Sequence, residues 1–334
     1  MTAVTIAEVA ARAGVSVPTV SKVLNGRRGV GPGTRQAVEL AVAETGYQRR
    51  RRAGPGIVDL LIPGIDSQWA IGLVRGVNAE AQDEGLDVII TTDFDGPEAE
   101  PGWLDRVARR GSEGVIVVVS ELSQATRKVL SRRNMPVVLL DPVGSAASDL
   151  VSITAANWAG GLAATEHLLT LGHRRVGIIT GPEREVCSAD RLDGWGAAHR
   201  RAGLAADPAL VRHGDSLGAG GRSHGGALLD LPDPPTAIFS CSDEQAYGVY
   251  EAARDRGLRV PDDVSVVGFD DVALCQWVSP QLTTVRQPLE EMGAAAVRRV
   301  SGAAGPVAGT GRYELPVTLV VRQSTAPPRT AKTT

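Results

Sequence analysis

The chain contains two unbroken apolar runs, at residues 114–119 and 136–140. Such runs are typical of strands that are buried on both faces of a parallel sheet, and parallel strands must be joined by crossover connections, usually helices. Amphipathic segments of helical length do separate the apolar segments of this chain, at intervals that suit βαβ units. The pattern predicts an α/β core of doubly wound parallel sheets, with a ligand cleft outside the carboxyl ends of the strands.

The predicted elements form two successive series. The first comprises strands at residues 57–62, 86–91, 114–119 and 136–140 and helices at 69–84 and 103–110. The second comprises helices at 158–171, 192–202 and 244–256 and strands at 175–180, 237–240 and 264–268. Because the βαβ series restarts, and because 334 residues can build more than one core, we expect two lobes.

The first 26 residues follow another pattern, that of two short helices around a turn. Thr5 opens a T-x-x-E capping box, and the apolar residues after it recur at helical spacing. Gly14 suits a left-handed helix end, and Ser16 suits the N-cap of a second helix. A third amphipathic helix is predicted near residues 34–44. This is the pattern of a helix-turn-helix, a motif whose second helix lies in the DNA major groove.

The charge of the chain is divided unevenly. Residues 1–56 contain nine Lys and Arg against three Asp and Glu, whereas residues 57–334 contain 26 against 35. The overall pI near 6.0 conceals this division. A basic module on an acidic body is typical of nucleic-acid binding, and it favours the helix-turn-helix over a generic helical pair inside a larger domain.

Several classes of protein and site find no support in the sequence. No apolar run is long enough to span a bilayer, and the N-terminus does not follow the pattern of a secretory signal, so we expect a cytoplasmic location. The three cysteines lie far apart and the five histidines have no ligand spacing, which argues against structural disulfides and a metal site. We expect no cofactor.

Two other functional classes fit an α/β core. A Rossmann-type enzyme needs a dinucleotide fingerprint, but the glycine-rich residues 218–221 follow no convincing strand, and no Ser/His/Asp arrangement is present. A transport binding protein needs export and leaves the basic N-terminus unexplained. We therefore expect a regulator without catalytic residues rather than an enzyme.

Several motifs, in order along the chain, resemble those of one known family. They are the stretch at 5–26 and the segments at 172–179, 191–195, 243–246, 264–271 and 280–288. Together they resemble the lactose-repressor (LacI/GalR) family of bacterial transcription regulators. The resemblance implies an all-α helix-turn-helix headpiece on a two-lobed core like that of periplasmic sugar-binding proteins. It also implies a homodimer, without a tetramer-forming coil, that binds a pseudo-palindromic operator in double-stranded DNA.

The domain bounds that we expect are as follows. The headpiece occupies 1–47, a short Arg-rich hinge 48–56, the effector-binding core 57–325 and a disordered tail 326–334. Within the core, the N-terminal lobe comprises about 57–155 and 284–313, and the C-terminal lobe about 156–283 and 314–325.

The resemblance makes the second helix of the headpiece the recognition helix. Val17 and Pro18 occupy its main base-reading positions, and Lys22 a third. Val17 and Pro18 can read only apolar features such as a thymine methyl, whereas Lys22 can donate to guanine O6 or N7. The other positions that match phosphate or base contacts are Thr5, Ser16, Thr19, Ser21 and Asn25.

The hinge departs from the family pattern. Relatives carry a longer hinge, which becomes a helix on DNA and inserts a leucine into the minor groove. The hinge of this chain has no leucine, and its two glycines and proline oppose a helix. Four consecutive arginines suit phosphates or a narrow minor groove, with a solvated charged linker as the alternative. They are Arg49, Arg50, Arg51 and Arg52.

The effector is expected between the lobes, and a sugar is the expected class. The resemblance makes Trp69 an aromatic that can stack on a sugar ring or a base, and Arg191 a ligand-binding arginine. Carboxylates and an arginine around an aromatic wall suit polyols, because each hydroxyl both donates and accepts. For Asp141 and Asp270, helix capping or pairing with arginines is the alternative. The expected effector contacts are Asp66, Trp69, Asp141, Cys187, Arg191, Ser242 and Asp270.

The mechanism that the resemblance implies is a population shift. An effector in the cleft changes the angle between the lobes and hence the spacing of the two headpieces. Repression of a sugar-uptake or catabolic operon, relieved by the sugar, is the expected sign, with corepression by a nucleobase-like ligand as the alternative. Residues 214–217 stand where many relatives place a second aromatic, so that wall is expected to be missing.

Overall fold

The computed structural model describes residues 6–24, 30–45, 56–92, 100–118, 122–143, 150–302 and 311–329. The chain divides into two compact units, residues 1–56 and residues 57–334. The first is all-helical and the second is a two-lobed α/β core, as the sequence predicts. None of the described helices combines the length and the apolar character that crossing a membrane requires.

The helical unit contains α1 (Ile6–Ala13), α2 (Val17–Leu24) and α3 (Pro32–Thr45). Gly14 ends α1 with a φ of +66°, a conformation that glycine adopts at little cost. The Val15 N–H then donates to the Ala10 carbonyl at 3.0 Å, which satisfies an orphan group at the helix end. The three helices enclose a small apolar core of Val9, Ala10, Val20, Val23, Val38 and Ala41. The predicted helix-turn-helix is therefore present.

The core alternates strands and helices along the chain. Its first part contains β1 (Gly56–Leu61), α4 (Gln68–Asp83), β2 (Leu86–Thr91), α5 (Glu100–Arg110), β3 (Gly114–Val118), α6 (Gln124–Arg132), β4 (Val137–Leu140) and β5 (Val151–Ala155). Its second part contains α7 (Asn157–Thr170), β6 (Val176–Thr180), α8 (Val186–Arg201), β7 (Val211–His213), α9 (Gly218–Leu229), β8 (Ala237–Ser240), α10 (Asp243–Asp255), β9 (Ser265–Asp270), α11 (Leu274–Trp277) and β10 (Thr283–Arg286). The chain then adds α12 (Leu289–Val300), β11 (Gly311–Leu315) and β12 (Thr318–Val320).

These strands form two six-stranded sheets. The sheet of the N-lobe has the order β11-β5-β4-β3-β1-β2, and that of the C-lobe has the order β12-β10-β9-β8-β6-β7. The pairs of the C-lobe sheet are parallel except for β10 with β12, which is antiparallel. Every residue of β3 and β4 is buried, as expected of the unbroken apolar runs that predicted parallel strands. Apolar cores lie on both faces of each sheet.

The chain crosses between the sheets three times, after β5, after β10 and after β11. The second crossing comes later than predicted, because β10 (Thr283–Arg286) pairs with β9 and so belongs to the C-lobe through Arg286. The third also comes later, because β11 pairs with β5 through Leu315. The structure therefore places these two crossings a few residues after the bounds of about 284 and 313 that we expected.

The predicted disordered tail at 326–334 is wrong for its first residues. The Ala326 N–H donates to Ser265 Oγ at 3.0 Å, and the Ala326 carbonyl oxygen lies 2.9 Å from His173 Nε2. Arg329 pairs with Asp263 at 2.5 Å. These contacts hold residues 326–329 against the C-lobe, whereas residues 330–334 lie outside the described residues.

Helices α7 and α8 pack at very close range. A Cβ on Gly161 of α7 would lie 2.3 Å from the Arg191 carbonyl oxygen, and a Cβ on Gly194 of α8 would lie 2.3 Å from the Trp158 carbonyl oxygen. Neither position has room for a side chain. The close approach brings the Arg191 end of α8 against the start of α7, where the cleft lies.

Candidate ligand-binding cleft and nucleic-acid interface

A cavity of about 290 Å³ lies between the N-lobe and the C-lobe. Its walls come from the residues that follow β1, β4 and β8 and from the end of β9, so it lies at the carboxyl ends of the parallel strands, where open α/β sheets bind ligands. All seven predicted effector contacts line it: Asp66, Trp69, Asp141, Cys187, Arg191, Ser242 and Asp270. The fold thus brings them together, while their role toward an effector stays a prediction.

Asp141 and Asp270 occupy equivalent places in the two lobes, directly after β4 and at the end of β9. Both have positive φ angles, +42° for Asp141 and +121° for Asp270, in a region that favours glycine. Such a conformation costs on the order of 1–3 kcal/mol per residue and is often found at functional sites. Among the described residues, neither carboxylate caps a helix or forms an ion pair, so the observations favour the ligand-binding interpretation over the structural alternative.

Arg191 is almost entirely buried, and the protein itself occupies most of its guanidinium. Its Nε donates to Asn157 Oδ1 at 2.8 Å, and its Nη1 donates to the Cys241 carbonyl oxygen. The guanidinium carbon lies 3.8 Å from the centroid of the Phe269 ring, a cation–π geometry. Among the described residues, Nη2 has no hydrogen-bond acceptor, so Nη2 is the nitrogen that is left for a ligand.

A chain of hydrogen bonds connects Arg191 to Asp141 in the other lobe. Thr154 Oγ1 donates to Asp141 Oδ1 at 2.6 Å and accepts from Asn157 Nδ2 at 3.1 Å. Asn157 in turn accepts from Arg191 through its Oδ1. All four side chains are buried, and we call them the Arg191 network. The network follows the first crossing between the lobes, from the end of β5 to the first residue of α7.

Only one carboxylate oxygen of Asp270 is hydrogen-bonded to a described residue. Its Oδ1 accepts from Gln287 Nε2 at 2.6 Å, while its Oδ2 has no hydrogen-bond partner among the described residues. Burial raises the pKa of the Asp270 carboxyl well above its ordinary value of 3.8, the charge of Asp243 raises it further, and Arg191 opposes the shift. A buried carboxylate with a free oxygen on a cavity wall is a hydrogen-bond acceptor for a ligand.

Asp243 fixes the turn that follows Asp270. Its Oδ2 accepts from the Val272 N–H at 2.9 Å, and its Oδ1 accepts from Thr284 Oγ1 at 2.5 Å. The Asp243 side chain is fully buried, and burial raises its pKa from 3.8 to about 7. Asp243 belongs to a motif that the sequence singles out, but it does not line the cavity and acts on Asp270 from behind.

Ser242 and Cys187 offer less hydrogen-bonding capacity to a ligand than their positions on the cavity wall suggest. Ser242 is the N-cap of α10: its hydroxyl accepts from the Gln245 N–H at 3.0 Å and donates to the Ser216 carbonyl oxygen at 2.8 Å. Burial raises the pKa of the Cys187 thiol to about 12, so it is neutral near pH 7, as is Cys241 beside it on the wall. The hydrogen-bonding capacity of Ser242 is thus largely used by the fold.

The cavity also has walls that the sequence interpretation did not assign. They include Arg184, Glu185, Leu217 and Glu244. Leu217 is 53% exposed and stands within the segment where a second aromatic was expected, so an aliphatic side chain takes part of that wall. Glu244 belongs to the motif at residues 243–246, and its place two residues after the N-cap of α10 was the available signal.

Contacts between the lobes surround the cavity. Gln68 Oε1 accepts from the Leu274 N–H at 2.9 Å. Arg312 of β11 pairs with Asp190 of α8 at 2.6 Å. An isolated antiparallel bridge joins Val143 to Glu185. The described conformation therefore has the two lobes in direct contact on several sides of the cleft.

The helical unit carries the predicted DNA contacts, of which three side chains are described. Ser16, Val17 and Thr19 stand at the start of α2, and Val17 is 40% exposed. Ser16 Oγ lies 2.8 Å from Thr19 Oγ1 and accepts from the Thr19 N–H, as an N-cap does. The apolar face of α2 is buried through Val20 and Val23, which leaves the Val17 side available to a partner.

The other predicted DNA contacts cannot be compared with the structure. Pro18, Ser21 and Lys22 lie on α2, but their side chains are not among the described ones. Thr5, Asn25 and the whole arginine run of Arg49, Arg50, Arg51 and Arg52 lie outside the described residues. Their roles stay predictions.

Family comparisons agree with both units. Residues 5–50 match the family described as bacterial regulatory proteins, lacI family. Residues 165–325 match the family described as periplasmic binding protein-like domain.

Individual relatives match over the whole length. The HTH-type transcriptional repressor CytR of Escherichia coli (strain K12) is 31% identical over 97% of each chain. Among solved structures, the transcriptional regulator CelR–cellobiose complex has a TM-score of 0.73 at 32% identity, covering 96% of this chain and 99% of that one. The lac repressor dimer bound to operator and the anti-inducer ONPF has a TM-score of 0.73 at 29% identity, covering 97% and 100%.

Proposed function

The chain belongs to the lacI family of bacterial regulatory proteins, and from this premise we propose that it represses its operon until a sugar binds in the cleft between its lobes. It is a DNA-binding transcription regulator of that family. The observation that carries the effector part of the proposal is that all seven predicted contacts line one interlobe cavity of about 290 Å³.

The DNA-binding part of the proposal assigns specificity to α2. Val17 is the exposed apolar residue at its start, and Lys22 follows on the same helix. Lys22→Ala is expected to relax the preference for the operator more than it weakens binding to random DNA, because a base contact carries sequence information and a phosphate contact does not. Competition binding with operator and scrambled duplexes measures the two effects, and an equal loss on both would make Lys22 a phosphate contact.

The effector part rests on the chemistry of the cavity walls. Trp69 offers an aromatic face, and Asp141, Asp270 and Arg191 offer polar groups on both sides of it. This combination suits a sugar, whose ring faces are apolar and whose hydroxyls both donate and accept. The transcriptional regulator CelR, which forms a complex with cellobiose, shares this fold.

The coupling between effector and DNA is proposed to be a shift between two lobe arrangements. The described arrangement has the Gln68–Leu274 and Arg312–Asp190 contacts made. A ligand that touches both lobes favours the arrangement in which both sets of walls reach it, and its differential affinity for the two arrangements sets the size of the response.

We propose that the protein acts as a homodimer on a pseudo-palindromic operator. A second depression, of about 500 Å³, adjoins the cleft, with which it shares Asp270 and Val272, and its lining includes residues of α4, α11 and α12. Ile71 and Trp277 on its walls are 40% and 72% exposed, and large apolar groups of this kind are typical of protein interfaces. The lac repressor relative is a dimer on its operator. A dimer presents two recognition helices about one helical turn of DNA apart.

As a regulator of bacterial operons the protein is proposed to act in the cytoplasm, at the nucleoid, and to bind its effector without converting it. Corepression by a nucleobase-like ligand remains the second candidate, because Trp69 can stack on a base as well as on a sugar ring.

A gel-shift assay tests the proposal. The purified full-length protein is incubated with fragments of genomic DNA, with and without a panel of free sugars and nucleobases. We expect one or a few fragments to be retained and one sugar to release them. Retention that requires a nucleobase would establish corepression, and no selective retention of any fragment would contradict the DNA-binding function.

A further inference from the structure

Acidic side chains outnumber basic ones among the described residues that line the cavity between the lobes. Its lining includes two arginines, Arg184 and Arg191. Its carboxylates are more numerous and come from both lobes: Asp66, Asp141, Glu185, Glu244 and Asp270. Among the described lining residues, the N-lobe contributes carboxylates and no cation.

Arg191 is the buried cation among the described residues that line the cavity, and the protein already uses part of its guanidinium. It forms no ion pair with the described carboxylates, but its charge lowers the pKa of Asp141, Glu185 and Asp270 against the upward effect of burial. Its Nε and Nη1 hydrogens go to Asn157 and to the Cys241 carbonyl. A phosphate would have to compete with three carboxylates for the guanidinium, with Nη2 as the nitrogen that has no protein partner.

The second arginine lies at the surface. Arg184 is exposed and forms no ion pair with the described residues. An exposed guanidinium attracts an anion only weakly, because water and salt screen the interaction. Among the described lining residues, the interior of the cavity thus offers an anionic group one partly used guanidinium, that of Arg191, while burial of an unpaired charge is costly.

Hydrogen-bond acceptors predominate among the unused groups of the walls. Asp270 Oδ2 has no partner although the residue is only 7% exposed. Asp66 forms no ion pair with the described residues, and neither does Glu244, whose pKa is raised by burial and by the charge of Asp66 across the cleft. Each of these carboxylates can accept from a ligand hydroxyl, and none can donate while ionised.

We propose that the effector is an uncharged polyol and that the cleft rejects the phosphorylated and carboxylated forms of the same sugar. This inference rests on the proposed function and narrows it to one chemical class. Free sugars supply hydroxyl donors to these acceptors, whereas a phosphate adds charge of the sign already in excess.

Matched ligand pairs test the inference. The full-length protein is titrated by calorimetry and by thermal denaturation with D-glucose and glucose 6-phosphate, D-ribose and ribose 5-phosphate, and cellobiose and cellobionate. We expect at least one neutral sugar to bind and its anionic partner to bind more weakly by about tenfold or more, the ratio that corresponds to 1.4 kcal/mol.

The possible results distinguish a failure of this inference from a failure of the proposed sugar response. Equal or tighter binding of the anionic member of a pair would overturn the inference and leave a sugar-responsive regulator in place. Binding of neither member of any pair, with selective operator binding intact, would overturn the sugar effector itself and the inference with it.

A charge variant adds a second measurement. Asp66→Asn removes a carboxylate from the N-lobe wall at nearly constant shape, so the ratio of neutral to anionic affinity is expected to fall by a factor of about three to ten. Asp193→Asn changes the net charge equally on the exposed face of α8, outside the cavity, and is expected to leave the ratio unchanged. The same change of ratio in both variants would contradict a local effect of the cleft.

Discussion

Arg191 donates its Nε hydrogen to Asn157 Oδ1 at 2.8 Å, so the first residue of α7 orients the guanidinium that lines the cleft. Asn157 is fully buried and also donates to Thr154 and to the Ala155 carbonyl oxygen. It is thus the member of the Arg191 network through which the wall of one lobe is connected to the wall of the other.

Asn157→Ala is expected to lower stability by about 1.5–3 kcal/mol, because a hydrogen bond to a charged group is lost and a buried donor is left unpaired. The same change frees the guanidinium and is expected to weaken effector binding at least about tenfold. Urea unfolding and calorimetric titration measure the two effects. Asn78→Ala, on the exposed face of α4, is the control, and a similar loss in both variants would contradict the positioning role.

The close packing of α7 and α8 gives a second prediction. Gly194→Ala is expected to destabilise the protein by about 1–3 kcal/mol, because the new Cβ would lie 2.3 Å from the Trp158 carbonyl oxygen and the helices must separate. Gly196→Ala, on the same helix, meets the flexible end of Arg200 and is expected to be neutral or slightly stabilising, since alanine favours the helix. Thermal unfolding of both variants checks the contrast. A smaller loss for Gly194→Ala than for Gly196→Ala would show that the helix pair can separate at no cost.

The buried Asp243 predicts how the free energy of unfolding changes with pH. Its pKa is raised from 3.8 to about 7, so between these values the folded protein holds a proton that the unfolded chain has lost. Stability from this group is therefore fully present below pH 3.8 and is lost as pH rises toward 7. In Asp243→Asn the free energy of unfolding is expected to fall less steeply over this range, on top of a constant loss from the disturbed hydrogen bonds to Val272 and Thr284.

Urea titrations at several pH values provide the comparison. The half-buried His167 and the buried His173 and His199 have lowered pKa values and contribute a slope of the opposite sign, but they do so equally in wild type and variant. The difference between the two proteins isolates Asp243. A difference that does not change between pH 4 and pH 7 would mean that Asp243 stays ionised throughout.

The arginine run before β1 predicts how the affinity for DNA depends on salt concentration. Replacing Arg49, Arg50, Arg51 and Arg52 by glutamine is expected to weaken binding to all DNA sequences and to make the slope of log K against log salt less negative by about 0.9 for each lost phosphate contact. A control with the same charge change replaces the exposed Arg106, Arg109, Arg132 and Arg133 of α5 and α6. An unchanged salt slope in the hinge variant would identify the run as a solvated linker.

The sequence predicts the strands of the core better than its helices. The apolar runs that became β3 and β4 are buried on both faces, and hydrophobicity alone identifies such strands. β5 was missed because Ser152 and Thr154 interrupt its apolar pattern, although both are buried. Thr154 is polar for a reason that no sequence pattern reveals: it hydrogen-bonds Asp141 and Asn157 in the Arg191 network.

Helices α8 and α9 differ from the sequence prediction for physical reasons, and α6, α11 and α12 were not predicted either. Helix α8 begins at Val186 rather than at 192, because its first turns line the cleft and so lack the apolar periodicity that marks a helix packed on a core. Helix α9 was not predicted at all, since glycine is an unfavourable helix residue and five of its twelve residues are glycines. Its glycines are required by packing: a Cβ on Gly221 would lie 2.2 Å from the Gln245 carbonyl oxygen.

The sequence predicted seven residues that line the cleft, but it did not predict how the charges of the lining balance. The family motifs identified seven wall positions, yet Glu185 and Glu244 reach the cavity only because of how α8 and α10 begin. The hydrogen-bond state of each wall group is likewise a property of the folded chain. The commitment of Arg191 to Asn157 and Cys241 depends on residues far apart in sequence, so a single sequence could not indicate which atoms stay free for a ligand.

The late return of the chain to the N-lobe has a consequence for the gene. Helix α12 supplies Leu289, Met292 and Ala296 to the apolar core beside β1, and β11 completes the edge of that sheet. The lobe that is translated first therefore cannot close until codons beyond 288 have been read. A stop codon just after codon 288 is expected to remove α12 and β11 from the N-lobe and β12 from the C-lobe, and neither lobe can be cloned as one uninterrupted fragment.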